Sequence, residues 1–155
     1  MKKAASILLV IAASMSIAAQ GPDFSGNWKL NTPKSKLNAE FSFAPLELII
    51  VQEGNDMSVE RHSEFNGEAF TMTDKFTLDG KECINTGFME TKKKSNAVWA
   101  EDKKSLKITS KIVMDDGNEI NITEVYKLDG GNLVVDSSSS SSWGDMSETH
   151  FYDKM

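Results

Sequence analysis

Turn dipeptides at short, regular intervals constrain this chain more than anything else in it. Gly54-Asn55, Asn66-Gly67, Asp79-Gly80, Asp116-Gly117 and Asp129-Gly130-Gly131 separate segments in which apolar and polar side chains alternate. A period of two places alternate side chains on opposite faces of a strand, and Asn-Gly tolerates the positive φ that a tight two-residue hairpin needs. The pattern predicts strands over residues 24–30, 46–52, 57–65, 69–78, 82–90, 97–100, 105–114, 119–128, 132–138, 142–145 and 146–154. Residues 31–44, with Pro33 and no clear period, read as a long connection with room for a short helical turn. Lys92-Lys93-Lys94 and Lys103-Lys104 read as solvated loop charges, and the serine run Ser137 to Ser142 as a flexible hairpin tip. So many consecutive strands remove their edges most simply by curling up. The expected fold is all-β, a single antiparallel up-and-down β-barrel of about 8–10 strands.

Register follows from the turns, and the inward face follows from register. With Asn66-Gly67 as a two-residue loop, Phe65 opposes Glu68, Ser63 opposes Phe70, Arg61 opposes Met72, Val59 opposes Asp74 and Met57 opposes Phe76. This face is mostly apolar and points inward; the Asp79-Gly80 turn adds Cys83, Asn85, Gly87 and Met89 to it. Later strands offer Leu106, Ile108, Ser110, Ile112 and Met114 on one face, and Ile120, Ile122, Glu124, Tyr126 and Leu128 on another. Joining those two sets places Met114 opposite Ile120, across a loop longer than Asp116-Gly117 alone. The inner wall is then aromatic and methionine-rich, interrupted by Arg61, Asp74, Asn85, Glu124 and Tyr126. Arg61 is the only arginine in the chain. A buried guanidinium is costly unless paired, so it meets either an internal carboxylate, with Asp74 its diagonal neighbour, or the anionic group of a ligand.

The ends and the composition bear on location and partners. Met1-Lys2-Lys3, an apolar stretch over residues 4–13 and the small residues after it have the form of a secretory signal peptide over residues 1–20, with cleavage expected near residues 18–21. The apolar run is too short to span a bilayer, so no membrane anchor is expected. Cys83 is the only cysteine, which excludes an internal disulfide. The expected location is periplasmic or secreted. Seventeen basic against twenty-three acidic residues give −6, and removing Lys2 and Lys3 with the signal gives 15 − 23 = −8. Such a surface repels phosphate, which argues against nucleic acid and anionic bilayers as partners.

Phe24-Ser25-Gly26-Asn27-Trp28-Lys29-Leu30 resembles the glycine-x-tryptophan opening of the calycins, the lipocalins and intracellular fatty-acid-binding proteins, in which the indole plugs one barrel end. The order of later segments fits too: Leu48-Ile49-Ile50, the hairpin ending at Asn66-Gly67, Asn132-Leu133-Val134-Val135-Asp136, and the closing His150-Phe151-Tyr152-Asp153-Lys154. With its export signal the chain is similar to bacterial exported lipocalin-like proteins, which implies a barrel domain over residues 22–155. In the fatty-acid-binding family the last strand supplies an arginine and, two residues on, a tyrosine that hold the ligand carboxylate, helped by an arginine on an earlier strand. The matching positions here are His150, Tyr152 and Tyr126, so only the last-strand tyrosine is kept. Arg61, on the wall of such a barrel, offers a relocated anchor.

Catalytic signatures are missing from the sequence. It has two histidines, His62 and His150, far apart and without ligating neighbours at zinc spacing, and no phosphate loop or nucleophile elbow. No cofactor and no metal is expected. His150 with Tyr152, near Glu148, has the makings of an acid–base pair, but barrel interiors hold such groups to bind water or orient ligands. The expected function is a binding protein, not an enzyme, for a small hydrophobic or amphipathic molecule. Met57, Phe70, Met72, Phe76, Met89 and Tyr126 would line its cavity, with Arg61, Asp74, His150 and Tyr152 as further contacts. A filled-core module that binds another protein, and a cavity enzyme, are the alternatives.

Overall fold

Alternating side chains and tight turns produce ten antiparallel strands. The computed structural model describes residues 21–155, in which the strands are β1 (Gly26–Leu30), β2 (Glu47–Glu53), β3 (Asp56–Phe65), β4 (Glu68–Thr77), β5 (Cys83–Thr86), β6 (Lys92–Trp99), β7 (Ser105–Val113), β8 (Glu119–Asp129), β9 (Asn132–Ser141) and β10 (Gly144–Lys154). They form one sheet in the order β4-β3-β2-β1-β10-β9-β8-β7-β6-β5, so that β1 against β10 brings the two halves of the chain together. The expected signal peptide and its cleavage site lie outside the described residues.

The remaining seam, between β4 and β5, is bridged by side chains. Asn85 donates from Nδ2 to the Lys75 carbonyl at 3.0 Å and accepts the Lys75 N–H at 2.8 Å, and Cys83 Sγ accepts the Thr77 N–H at 3.3 Å. One amide side chain thus satisfies both groups of an edge residue that a neighbouring strand would otherwise cover, and the sheet becomes a nearly closed barrel. Cys83, expected on the inward face, is half-buried at this seam.

The β3–β4 hairpin has the expected register from Phe65↔Glu68 to Met57↔Phe76, with Asn66 at φ 52° and Gly67 at φ 82° as its two turn residues. Inward apolar residues pack the end of the barrel from which β1 starts. Phe24, Trp28, Met57, Val59, Phe76, Leu106, Ile108, Leu133 and Tyr152 are among its buried side chains. Trp28 donates its indole N–H to the Phe24 carbonyl at 2.9 Å, and Phe24 stacks on Trp99 with ring centroids 5.8 Å apart, so three aromatics seal this floor.

Four features depart from the sequence expectation. Lys92-Lys93-Lys94 is not a loop; β6 runs through it, and the phase of Ala97 and Trp99 carries Ser95 and Lys93 inward. The strand expected over 82–90 stops at Thr86, and Phe88–Glu90 forms a short 3-10 turn that exposes Met89 instead of directing it inward. The serine run is no flexible tip: Ser137 to Ser141 continue β9, paired with β8 on one side and β10 on the other, and residues 142–154 make a turn and a single strand. Ladder bonds on both sides override the weak strand preference of serine. At the β7–β8 turn Ile112, not Met114, opposes Ile120, and Met114 accordingly sits in the loop, its N–H bonded to the Asn118 carbonyl at 2.8 Å. The loop is longer than Asp116-Gly117, as expected, but it consumes Met114.

Replacing Trp28 by alanine should cost about 3–5 kcal/mol in urea unfolding, since the indole fills the floor and nothing can collapse into its place. The same change at Trp143, which is exposed at the β9–β10 turn, should stay within about 0.5 kcal/mol.

Candidate functional site

Midway up the barrel the apolar core gives way to charge. On β3, alternation from Met57 and Val59 makes Arg61 the next inward residue; on β4 it makes Asp74 the next after Phe76. Arg61 Nη2 donates to Glu124 Oε2 at 2.8 Å and to the Tyr126 hydroxyl at 3.2 Å, and lies 3.5 Å from Asp74 Oδ2. Lys93 Nζ lies 2.7 Å from that same Asp74 oxygen. Both alternatives for Arg61 were internal or external partners, and the internal set is larger than Asp74 alone. Its shortest contact is Glu124, across the barrel on β8, while Asp74 belongs mainly to Lys93. The Ser95 and Ser110 hydroxyls, 2.8 Å apart, extend the polar layer across β6 and β7.

Side-chain exposure shows how deep this belt lies: 12% for Arg61, 16% for Glu124, 8% for Lys93 and 1% for Asp74. Burial alone would lower the Arg61 pKa, but Glu124, Tyr126 and Asp74 outweigh it and the guanidinium is held charged more firmly than usual. Burial raises the pKa of Tyr126 well above the ordinary tyrosine value; Arg61 opposes this and Glu124 adds to it. Tyr152 is raised mainly by burial too. Two buried polar atoms have no partner among the described residues: Arg61 Nη1, a donor, and Asp74 Oδ1, an acceptor.

Above the belt the barrel is not packed. Among the inward residues there, Ser63, Met72, Ile120, Ile122, Ser137, Ser139 and Met146 are half-buried and Phe70 is exposed, while Ile112 stays buried against β6 and β8. They form a cup whose floor is the belt and whose mouth is the end carrying the β3–β4, β5–β6, β7–β8 and β9–β10 turns. The β1–β2 connection runs beside this mouth as a strap. Its only regular element is a 3-10 turn at Thr32–Lys34. Lys36 pairs with Thr149 of β10, and Glu148 accepts the Asn38 N–H at 2.8 Å and the Ser42 hydroxyl at 3.0 Å. The Tyr152 hydroxyl donates to the Pro45 carbonyl at 3.1 Å. Glu148 also holds His150, Nε2 to Oε2 at 2.9 Å.

The ten candidate residues therefore divide. Phe70 and Met72 line the cup, Arg61, Asp74 and the Tyr126 hydroxyl belong to the belt, and His150 and Tyr152 lie under the strap. Met57 and Phe76 face inward but are packed into the lower core, and Met89 faces solvent, 73% exposed. Two participants were missed. Lys93 was hidden because three consecutive lysines look like a loop, although Trp99, Ala97 and Ser95 at steps of two point to it. Glu148 sat one alternation from His150, but nothing local shows that it would fasten the strap.

Chain tracing around this cup matches known barrels. No family model matches the sequence, and no curated protein does. Among solved structures, zebrafish ileal bile acid-binding protein complexed with cholic acid superposes with a TM-score of 0.57 at 19% identity, covering 85% of this chain and 98% of that one. The chain has the ten-stranded barrel fold of that protein. Lipid binding protein 8 of Caenorhabditis elegans, in its apo form, gives 0.54 at 15% identity over 85% and 95% of the two chains. Secretory abundant heat soluble protein 4 of Ramazzottius varieornatus gives 0.51 at 16% over 88% and 98%.

Asp74→Ala leaves the buried Lys93 ammonium without its partner and should destabilise by about 3–5 kcal/mol, whereas Asp74→Leu combined with Lys93→Met should recover most of that loss in denaturant unfolding. A raised tyrosine pKa means that the folded state keeps a proton the unfolded state gives up. The stability from Tyr126 and Tyr152 is therefore complete below the ordinary value of 10 and is lost as pH rises beyond it toward the folded-state values. Melting temperature should fall steadily above pH 10, and less steeply in Tyr126→Phe.

Proposed function

We propose that this chain is an exported binding protein that holds a small, partly hydrophobic molecule in the cup above the Arg61–Glu124 belt, and that it is not an enzyme. The observation that carries this reading is the division of the barrel: a dry floor, a neutralised charge layer, and inward apolar residues above it that solvent still reaches. Space of that kind, apolar-walled with a few convergent polar groups, is the usual form of a small-molecule site. The calycin-type fold supports it, since the zebrafish relative in fold carries cholic acid and the nematode one is a lipid binding protein. The signal-like first twenty residues support export to a periplasm or the outside of the cell. His150 has a structural task beside Glu148, fastening the strap, so the acid–base alternative has no free group to rest on.

Apolar burial supplies affinity at about 25 cal/mol per Å² while the belt selects the head group. An amphiphile that fills the cup should raise the melting temperature of the protein and give a saturable calorimetric titration. Ile122→Trp, which fills the half-buried space next to the belt, should weaken that binding at least about tenfold and leave the melting temperature of the free protein within a few degrees of its original value. Undiminished binding to Ile122→Trp would place the ligand elsewhere.

A second reading rests on the mouth itself, where Phe41, Phe43, Phe88 and Trp143 are exposed, with Phe41 and Phe43 packed edge to face at 5.3 Å. Exposed aromatics gathered at one end suit contact with another protein. Sedimentation of the wild type and of Phe43→Ser with Trp143→Ser decides it: concentration-dependent association lost in the variant favours this reading.

A further inference from the structure

The belt fixes the charge class of whatever enters the cup. It contains two cations, Arg61 and Lys93, and two carboxylates, Asp74 and Glu124, so its formal charge is zero, and each charge already has an opposite partner within 2.8 Å. The other inward acid, Glu148, is bonded to His150, Asn38 and Ser42 and offers no free cation to an arriving anion. A carboxylate head group would add an uncompensated negative charge next to Glu124 and Asp74. An ammonium would do the reverse beside Arg61 and Lys93.

Two further observations agree. The belt's unpartnered atoms are one donor, Arg61 Nη1, and one acceptor, Asp74 Oδ1. Both atoms are closed to solvent, and a hydroxyl or a primary amide matches the belt in carrying a donor and an acceptor without a charge. Outside, the four hairpin turns around the mouth carry Glu64, Glu68, Glu90, Asp115, Asp116, Glu119 and Asp145, while the strap beside them carries Lys34 and Lys36 as well as Glu40. That collar repels an approaching anion.

We infer that the ligand of this barrel is an uncharged amphiphile whose head group, a hydroxyl or primary amide, meets the charge-neutral belt at the floor of the cup. This inference rests on the ligand-binding reading above. In it the barrel departs from anion capture: Arg61 is a member of a neutral network and not a counter-ion awaiting a carboxylate.

Calorimetric titration of the full-length mature protein at pH 8 with decanol, decanamide, decanoate and decylamine tests it. Decanol and decanamide should bind at least about tenfold more tightly than decanoate or decylamine. Glu124→Gln makes the belt net positive, and in that variant, once circular dichroism shows it folded, the preference for decanol over decanoate should shrink at least about tenfold. Decanoate or decylamine binding the wild type as tightly as decanol, or an unchanged preference in Glu124→Gln, would overturn the inference while leaving ligand binding in place. Binding of none of the four would remove the ligand-binding reading itself and this inference with it.

Discussion

A guanidinium inside a barrel of hydrocarbon has to be neutralised, and the way Arg61 is neutralised divides this molecule in two. Glu124 reaches it from the opposite wall, the Tyr126 hydroxyl supports it, and Asp74 links it to Lys93. Strands β3, β4, β6 and β8 are tied together at one height by these contacts. Below that height the side chains are apolar and closed; above it they stand open to solvent. Such a network contributes little net stability compared with hydrocarbon of the same shape, because desolvating four charges offsets most of their attraction. Its effect is positional: it sets where the core ends and where a ligand's head group would stop.

The strap is a second consequence of inward polar residues. His150 and Glu148 lie on the last strand one and two alternations above Tyr152, and each of the three engages the strap or a neighbour that does. The 31–46 connection is thus sewn along β10. Phe41 and Phe43 remain outside on the same segment, which gives the mouth an apolar border within an acidic collar.

How far the sequence could be read follows from these same residues. Asn66-Gly67 determined the β3–β4 register residue by residue, because a two-residue loop allows one pairing, and with it the inward placement of Arg61, Met72 and Asp74. Turns without that stiffness were less informative. Asp116-Gly117 announced the β7–β8 hairpin but not that Met114 would fall in its loop, and Phe88–Glu90 ended the fifth strand in a 3-10 turn that carried Met89 outside. Composition misled at two places for one physical reason. Three lysines and six serines look like solvent-facing loops, yet ladder partners hold all three lysines and five of the serines as strand, and Lys93 then finds Asp74. Which carboxylate Arg61 would choose was not legible, since Glu124 is sixty-three residues away and its position depends on closure of the whole barrel.

The account stands on a barrel that is dry below the belt and open above it. Methyl NMR in the presence of a neutral, water-soluble paramagnetic agent measures that division directly. The methyl groups of Met72, Ile120, Ile122 and Met146 should relax strongly, while those of Val59, Ile108, Leu133 and Val135 should be unaffected. Equal protection of both sets would mean a barrel filled from end to end, and relaxation of the second set would mean that the belt closes nothing; either result would contradict the structure–function argument made for this protein.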